Sequence, residues 1–361
     1  MYDHRFVGGL ILALGTAVFL LTSGVNAAAL PRVSARDMQA IRDSAGYILR
    51  CQLPNGLIAQ GPQDKDIFAM PYFANYACIG LLRAYRVTKD AQYLKAVLRY
   101  EEWYASHINA DGTMYDWKGT RSEPVSTKDY DSSDAYPGTY MALCYETYRI
   151  THDAAWLKGK YPTFLSCMDG MKLTRQSDSL TYAKPDYKVK YLMDNLEDRL
   201  GLTAGIKIAE TLHTPEVSGW KVLLEENGQG LKKLWMPAER RFSEAMFEDG
   251  KLDESWSVWY PDGMANAMAL DYLLDKRDPK SRELALLVKN KFPNGSDYWQ
   301  FMALWKFGFT DEARAVSARL GASADNCVDK GHYIRTLVPE EEDFLCDSNC
   351  LALPDFRPMA K

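Results

Sequence analysis

The segment Thr88-Lys89-Asp90-Ala91-Gln92-Tyr93-Leu94 returns later in the chain as Thr151-His152-Asp153-Ala154-Ala155-Trp156-Leu157. Both read as one tight turn between helices. A threonine and a spacer lead to an aspartate that caps the next helix, which then presents an aromatic residue and a leucine. Leu274-Asp275-Lys276-Arg277-Asp278-Pro279 is a variant with proline at the first helical position. Thr310-Asp311-Glu312-Ala313 opens a further helix in a similar way. A capped helix start placed just after a helix end turns the chain back on itself, so repetition of this turn predicts helical pairs.

Apolar periodicity near 3.6 residues fills the intervals between these turns. It predicts helices over Asp37–Cys51, Ala69–Val87, Ala91–His107, Asp134–Ile150, Ala154–Met171, Tyr191–Leu212, Pro215–Trp235, Asp262–Leu274, Pro279–Phe292, Ser296–Phe307 and Thr310–Leu320, with a short one after Gly331 as a twelfth. The connections at the other ends are long. They carry strand-like pieces at Asn55–Ala59, Asp111–Trp117, Ser179–Ala183 and Arg241–Met246.

The repeating unit is therefore helix, long β-like loop, helix and tight turn, at an irregular period near 60 residues. Stacked helix pairs share a core with their neighbours. An open solenoid and a closed ring both satisfy this pattern. A ring gathers every long loop around one concave mouth, and loops on a rigid scaffold are where sites are usually built. The expectation is closure.

The repeated hairpins, the two Thr-x-Asp-x-x-aromatic-Leu turns and the acidic, aromatic helix starts resemble the six-hairpin glycosidase superfamily. The resemblance covers roughly residues 37 to 320. It implies an all-α (α/α)6 toroid of helical hairpins with short β-hairpin loops on one face, and a glycoside hydrolase acting on an oligosaccharide or polysaccharide. Asp131-Ser132-Ser133-Asp134-Ala135-Tyr136 resembles the acidic helix start of unsaturated glucuronyl and rhamnogalacturonyl hydrolases, with a serine just before Asp134 where those carry adjacent aspartates.

The N-terminus reads as an export signal. Met1–Arg5 is short and carries His4 and Arg5, Phe6–Leu21 is apolar, and small residues around Val25–Ala29 suit cleavage near Ala27 or Ala29. An uncleaved anchor is the alternative. The expected organisation is a signal peptide over 1–29 and a toroid domain over 30–361, of which 322–361 is an irregular tail. The protein is then periplasmic or secreted, with no stable membrane span after cleavage. A net charge of −5 without a basic stripe argues against nucleic acid as a partner.

Seven cysteines leave at least one thiol unpaired. Cys51, Cys78, Cys144 and Cys167 lie on apolar helix faces. A disulfide from Cys327 to Cys346 or Cys350 would pin the tail. A zinc site from these three with His332 is an alternative, but their spacing is not a usual metal pattern; the reading carries no metal and no cofactor.

No histidine, cysteine or serine stands in a recognisable nucleophile motif, and no phosphate loop is present, so carboxylates are the expected acid–base machinery. Hydrolysis of a glycoside uses two: one keeps a proton near neutral pH, and the other activates water or attacks. Asp134 opens an apolar helix, where restricted solvation raises a carboxyl pKa. Asp194 and Glu197 stand three apart on one helix face among apolar neighbours. Asp134 and Asp194 are the predicted catalytic pair. Asp66, Asp131, Glu197 and Asp262 are further acids expected at the mouth. Tyr72, Trp117, Tyr136, Tyr191, Trp256, Trp259 and Tyr260 are the aromatic residues expected to bind substrate. The alternative for each acid is a helix cap, and for each aromatic a place in the core. A salt bridge from Arg199 is the bland explanation of Asp194 and Glu197.

Two other activities fit the same frame. A polysaccharide lyase would use Tyr136 or Tyr191 with Arg199, and a non-catalytic toroid would bind glycan or protein. The lyase reading needs a cationic clamp. The hydrolase reading needs two carboxylates converging in one cavity.

Overall fold

The computed structural model describes residues 33–340. The expected signal peptide, Cys346, Cys350 and the last part of the tail lie outside these residues. Among the described residues no helix is long and apolar enough to cross a membrane.

Thirteen helices occur among the described residues: α1 (Ala35–Cys51), α2 (Pro71–Thr88), α3 (Ala91–His107), α4 (Ala135–Thr151), α5 (Ala154–Gly159), α6 (Tyr161–Lys172), α7 (Leu192–Leu212), α8 (Val217–Leu231), α9 (Met264–Tyr272), α10 (Pro279–Lys291), α11 (Tyr298–Lys306), α12 (Thr310–Ser323) and α13 (Cys327–Leu337). Their packing closes a ring. α2 packs on α4, α4 on α7, α7 on α9, α9 on α11, α11 on α13, and α13 on α2. The remaining helices lie outside this inner ring, each against an inner partner. The architecture is a six-hairpin α/α toroid.

The repeated turn is stabilised as its residues predict. Thr88 Oγ1 donates to the Ala84 carbonyl at 2.8 Å, and the Asp90 amide donates to Thr88 Oγ1 at 3.2 Å. The Asp90 carboxylate then caps α3 by accepting the Gln92 amide at 3.0 Å. Thr151 and Asp153 repeat these contacts with Thr147 and Trp156. The spacers Lys89 and His152 both adopt left-handed backbone, with φ of 57° and 54°. The αL cap reverses the chain within a few residues. Asp278 caps α10 in the same way. The start of α12 differs, since Phe309 precedes it and no side chain caps it.

Two helix predictions need correction. The single helix predicted over Ala154–Met171 breaks at Lys160, because Pro162 sits in the first turn of α6 and cannot continue α5. The tail expected to be irregular from 322 contains α13, which is the sixth inner helix. Its two glycines of contact explain why its pattern is faint. A Cβ on Gly80 would stand 2.5 Å from the Gly331 Cα, and one on Gly331 would stand 2.7 Å from the Ala77 Cα. α2 and α13 meet backbone to backbone, so this contact needs small residues rather than an apolar stripe.

Every inner helix begins at the end where the long loops lie. The connections over residues 52–70, 108–134, 173–191 and 232–263 are long, whereas 292–297 and 324–326 are short. The strand pieces pair both within a loop and between loops, the latter in β1–β2 and β4–β7. β1 (Ile67–Ala69) and β3 (Pro124–Ser126) flank β2 (Trp117–Gly119) in an antiparallel sheet. β4 (Val189–Tyr191) pairs with β7 (Ala245–Phe247), in the register Tyr191 to Ala245. β5 (Trp235–Met236) pairs with β6 (Arg241–Phe242). The predicted pieces at 55–59 and 179–183 form only isolated bridges, Gln52 to Ile58 and Arg175 to Thr181.

Candidate active site

The pairing of β4 with β7 decides what meets at the mouth. It sets Tyr191, the residue before α7, beside the β6–β7 turn, and the Leu192 amide donates to the Glu244 carbonyl at 2.8 Å. On the other flank α4 and α7 approach closely. A Cβ on Gly138 would lie 2.6 Å from the Glu197 carbonyl oxygen, and one on Gly201 would lie 2.4 Å from the Gly138 Cα. Three segments distant in sequence thus converge: the start of α4, the first turn of α7, and the β6–β7 turn.

Between them is a cavity of about 540 Å³, walled by Asp131, Asp186, Tyr187, Tyr191, Asp194, Glu244 and Tyr260. A larger hollow of about 670 Å³ lies between α1, α12 and α13, where Asp37 is the one lining carboxylate. The smaller cavity holds the acids and is the candidate site.

Asp194 projects from the first turn of α7 into this cavity. Burial pushes its carboxyl well above the usual carboxylate range, and the charges of Asp134, Glu197 and Asp131 push it further in the same direction. Glu244 is only 8% exposed, and its Oε2 has no hydrogen-bond partner. Burial, then the charges of Asp253 and Asp262, raise it to about 7. Two carboxyls raised above the usual carboxylate range by burial and like charge therefore line one cavity.

The aromatic wall is built from tyrosines. The Tyr187 and Tyr191 rings lie 6.3 Å apart at 25°, with their hydroxyls 3.1 Å apart. Tyr260 is 66% exposed. Its phenol is raised by burial and then by the charges of Asp131, Asp194, Glu244 and Glu197, which places it among these four acids. Lys184, the one cation of the lining, is ion-paired to Asp129 at 3.1 Å.

Of the predicted residues, Asp131, Tyr191, Asp194 and Tyr260 line the cavity. Asp134 does not. It is fully buried, and its carboxylate accepts from the Ser132 hydroxyl, the Thr181 hydroxyl and, at 2.9 Å, the Ala135 amide. It caps α4 and acts on the cavity through its charge. Glu197 also lies within the ring, accepting from Tyr72 Oη at 2.5 Å and Tyr76 Oη at 2.7 Å. Burial raises Glu197 to about 8 against these two hydrogen bonds. Tyr72 stacks on Tyr136 at 5.7 Å, and Tyr136 donates to Asp116 at 2.9 Å. These tyrosines support the cavity from the core instead of lining it.

The other predicted residues lie elsewhere. Asp66 is exposed, in left-handed backbone before β1. Trp117 packs edge-on against Trp103 at 5.5 Å and His107 at 5.2 Å, on outer helix α3. Trp256 and Trp259 both pack on Phe292, at 4.9 and 5.7 Å, and Trp259 Nε1 donates to Asp297. These indoles cover apolar surface outside the ring, which suits rings that bury more area there than at an acidic mouth. The run from Trp256 to Tyr260 contains no strand. Asp262 draws it into a turn by accepting the Ser257 and Val258 amides at 2.6 and 3.1 Å. Arg199 is buried and donates to the Leu224 carbonyl.

Glu244, Asp186 and Tyr187 are lining residues that the sequence-predicted set lacks. A charged residue between Phe242 and Met246, in a stretch otherwise read as a strand, is a faint local sign of Glu244, whose place is set by the pairing of β4 with β7. Cys327 is a buried free thiol. Among the described residues no group of three or more His, Cys, Asp or Glu side chains is arranged to hold a metal ion.

The same fold occurs in solved glycosidases. A glycosidase variant in complex with glucose superposes with a TM-score of 0.62 at 11% identity, covering 86% of this chain and 98% of that one. The unsaturated glucuronyl hydrolase of Bacillus sp. GL1 gives 0.58 at 11% identity, over 86% and 98%. An α-1,6-mannanase from Salegentibacter sp. HEL1_6 gives 0.56 at 10% identity, over 83% and 98%. The chain has the fold of the six-hairpin glycosidases. No family model matches the sequence, and no curated protein matches it.

Proposed function

We propose that this protein is a glycoside hydrolase whose acid is Asp194 and whose second carboxylate is Glu244. The observation that carries the reading is the convergence of these two acids, both raised toward neutrality, beside the Tyr187–Tyr191–Tyr260 wall. A proton on Asp194 passes to the glycosidic oxygen as the bond to the anomeric carbon breaks. Ionised Glu244 takes a proton from the attacking water or attacks the anomeric carbon itself, according to the separation of the two carboxyls across the bound sugar. The tyrosine faces hold the sugar rings and exclude water from the acids.

The cavity supports hydrolysis over the alternatives. A lyase needs a cation beside the uronate carboxylate, yet Lys184 is engaged by Asp129 and Arg199 is buried against α8. A binding-only toroid has no need of two acids with raised pKa at one wall. Export through residues 1–29 belongs to the same proposal and places the substrate outside the cytoplasm; N-terminal sequencing of the native protein tests it. The activity is tested by release of reducing ends from a glycan panel. Asp194→Asn and Glu244→Gln are expected to lower release by roughly 10²–10⁴-fold with unchanged melting. Full turnover in both variants would remove the assignment.

A further inference from the structure

The charge of the cavity points past hydrolysis in general to a class of sugar. Four carboxylates, Asp131, Asp186, Asp194 and Glu244, surround a wall of three tyrosines. Among the described residues none of the four has an ion-pair partner, and the single lining lysine is spoken for by Asp129. Glu244 adds an observation that the acid cluster alone does not supply. Its side chain is more than nine-tenths buried at the cavity wall, and its Oε2 lacks a hydrogen-bond donor. A buried carboxylate oxygen without a donor is costly, and a ligand bearing N–H groups relieves that cost.

We infer that the cavity binds amino sugars with free, protonated amines, and that it rejects uronates. The inference rests on the glycosidase reading and names the substrate of that same site. An ammonium group offers three donors and a positive charge, which suits Glu244 Oε2 and the exposed carboxylates of Asp131 and Asp186. The sugar ring lies on the tyrosine faces, with its amine toward the acids. An N-acetyl group removes the charge and most of the donors. A uronate brings a negative charge to a wall that is already negative, and such a juxtaposition is a strong device against the wrong ligand.

The test is calorimetric titration of the full-length protein with three probes: a glucosamine tetramer, its fully N-acetylated counterpart and a galacturonate tetramer. The glucosamine tetramer is expected to bind on the order of tenfold or more tighter than the acetylated one, with galacturonate showing no binding. Asp186 is exposed at the rim and outside the proposed acid pair, so Asp186→Asn keeps the fold and reduces the preference severalfold. Added salt weakens glucosamine binding and leaves acetylated binding unchanged. Equal binding of the two tetramers, or tighter binding of galacturonate, overturns the inference. Turnover of a neutral or uronic glycan with no glucosamine binding also overturns it, while leaving the hydrolase reading intact. Tight glucosamine binding without any cleavage supports the inference and sinks the hydrolase reading instead.

Discussion

Asp134 stands behind Asp194, closed off from the cavity by Ser132, Thr181 and the Ala135 amide, and after burial its charge is the largest influence on the Asp194 carboxyl. The close approach of α4 and α7 at Gly138 and Gly201 creates this neighbourhood. Burial raises Asp134 against the hydrogen bonds from Ser132, Thr181 and the Ala135 amide, and its charge in turn raises Asp194.

This arrangement separates the two roles by pH. Asp134→Asn removes the charge that raises Asp194, so the Asp194 pKa falls. The alkaline limb of kcat/KM is expected to move to lower pH, with turnover retained at acid pH. Loss of turnover at every pH would return Asp134 to a direct catalytic role.

The wild-type profile is expected to be bell-shaped. Glu244 must be ionised to act as base, so activity falls below about 7, where it takes up its proton. Asp194 must be protonated, so activity falls again as pH rises through its elevated pKa. Asp194→Asn is expected to lower kcat by roughly 10²–10⁴-fold. An acid limb unchanged in Glu244→Gln, measured on its residual turnover, would exclude Glu244 as its source.

Stability carries its own pH signature. Glu101 is fully buried between α3 and α4 and is held at about 8 by burial, against hydrogen bonds and the charge of Lys160. Its unfolded value lies near 4.5. The folded state therefore keeps a proton that the unfolded state loses across this window. The stability this contributes is full below about 4.5 and is lost as pH rises through about 8. Glu197 acts in the same sense. Melting temperature is expected to decline from pH 5 to 8, and Glu101→Gln is expected to flatten that decline. A melting curve that rises over this interval in the wild type would contradict the assignment.

Tyr260 offers a contrast to the tryptophans. It is exposed at the cavity, so Tyr260→Ala is expected to raise KM on the order of tenfold with little change in melting. Trp256→Ala is expected to lower the melting temperature and leave KM unchanged, because that ring packs on Phe292 and Arg241. The opposite pattern would place the substrate on the outer face of the loop.

Ring closure depends on the absence of side chains where α2 meets α13. Gly331→Ala places a methyl against the Ala77 backbone and is expected to cost about 1–3 kcal/mol or more. Denaturant unfolding of this variant against wild type measures it. An unchanged midpoint would show that the contact relaxes freely.

The helices were legible because their signals are local. Thr88–Asp90 and Thr151–Asp153 form turns whose bonds span only a few residues, and apolar spacing marks the helices before α13. The site was legible in part. Asp194 stands out because an acid among leucines needs a cavity. Glu244 does not, because its placement comes from the pairing of β4 with β7, a contact between loops far apart in sequence. The tryptophans misled because ring size alone does not tell a sugar platform from a covered apolar patch. Asp66 and Asp262 share the composition of a site but serve a turn and a loop. α13 was faint because its tightest contact uses glycine, which carries no hydrophobic signal.

Gly80 and Gly331 touch across most of the length of the polypeptide. A contact so non-local forms late and makes closure slow. Until the final stave arrives, α2 keeps one face bare, and the barrel that aligns the acids of α7 and the β6–β7 turn is unfinished. Crowding this seam with a side chain would therefore disturb the alignment of acids that it never touches.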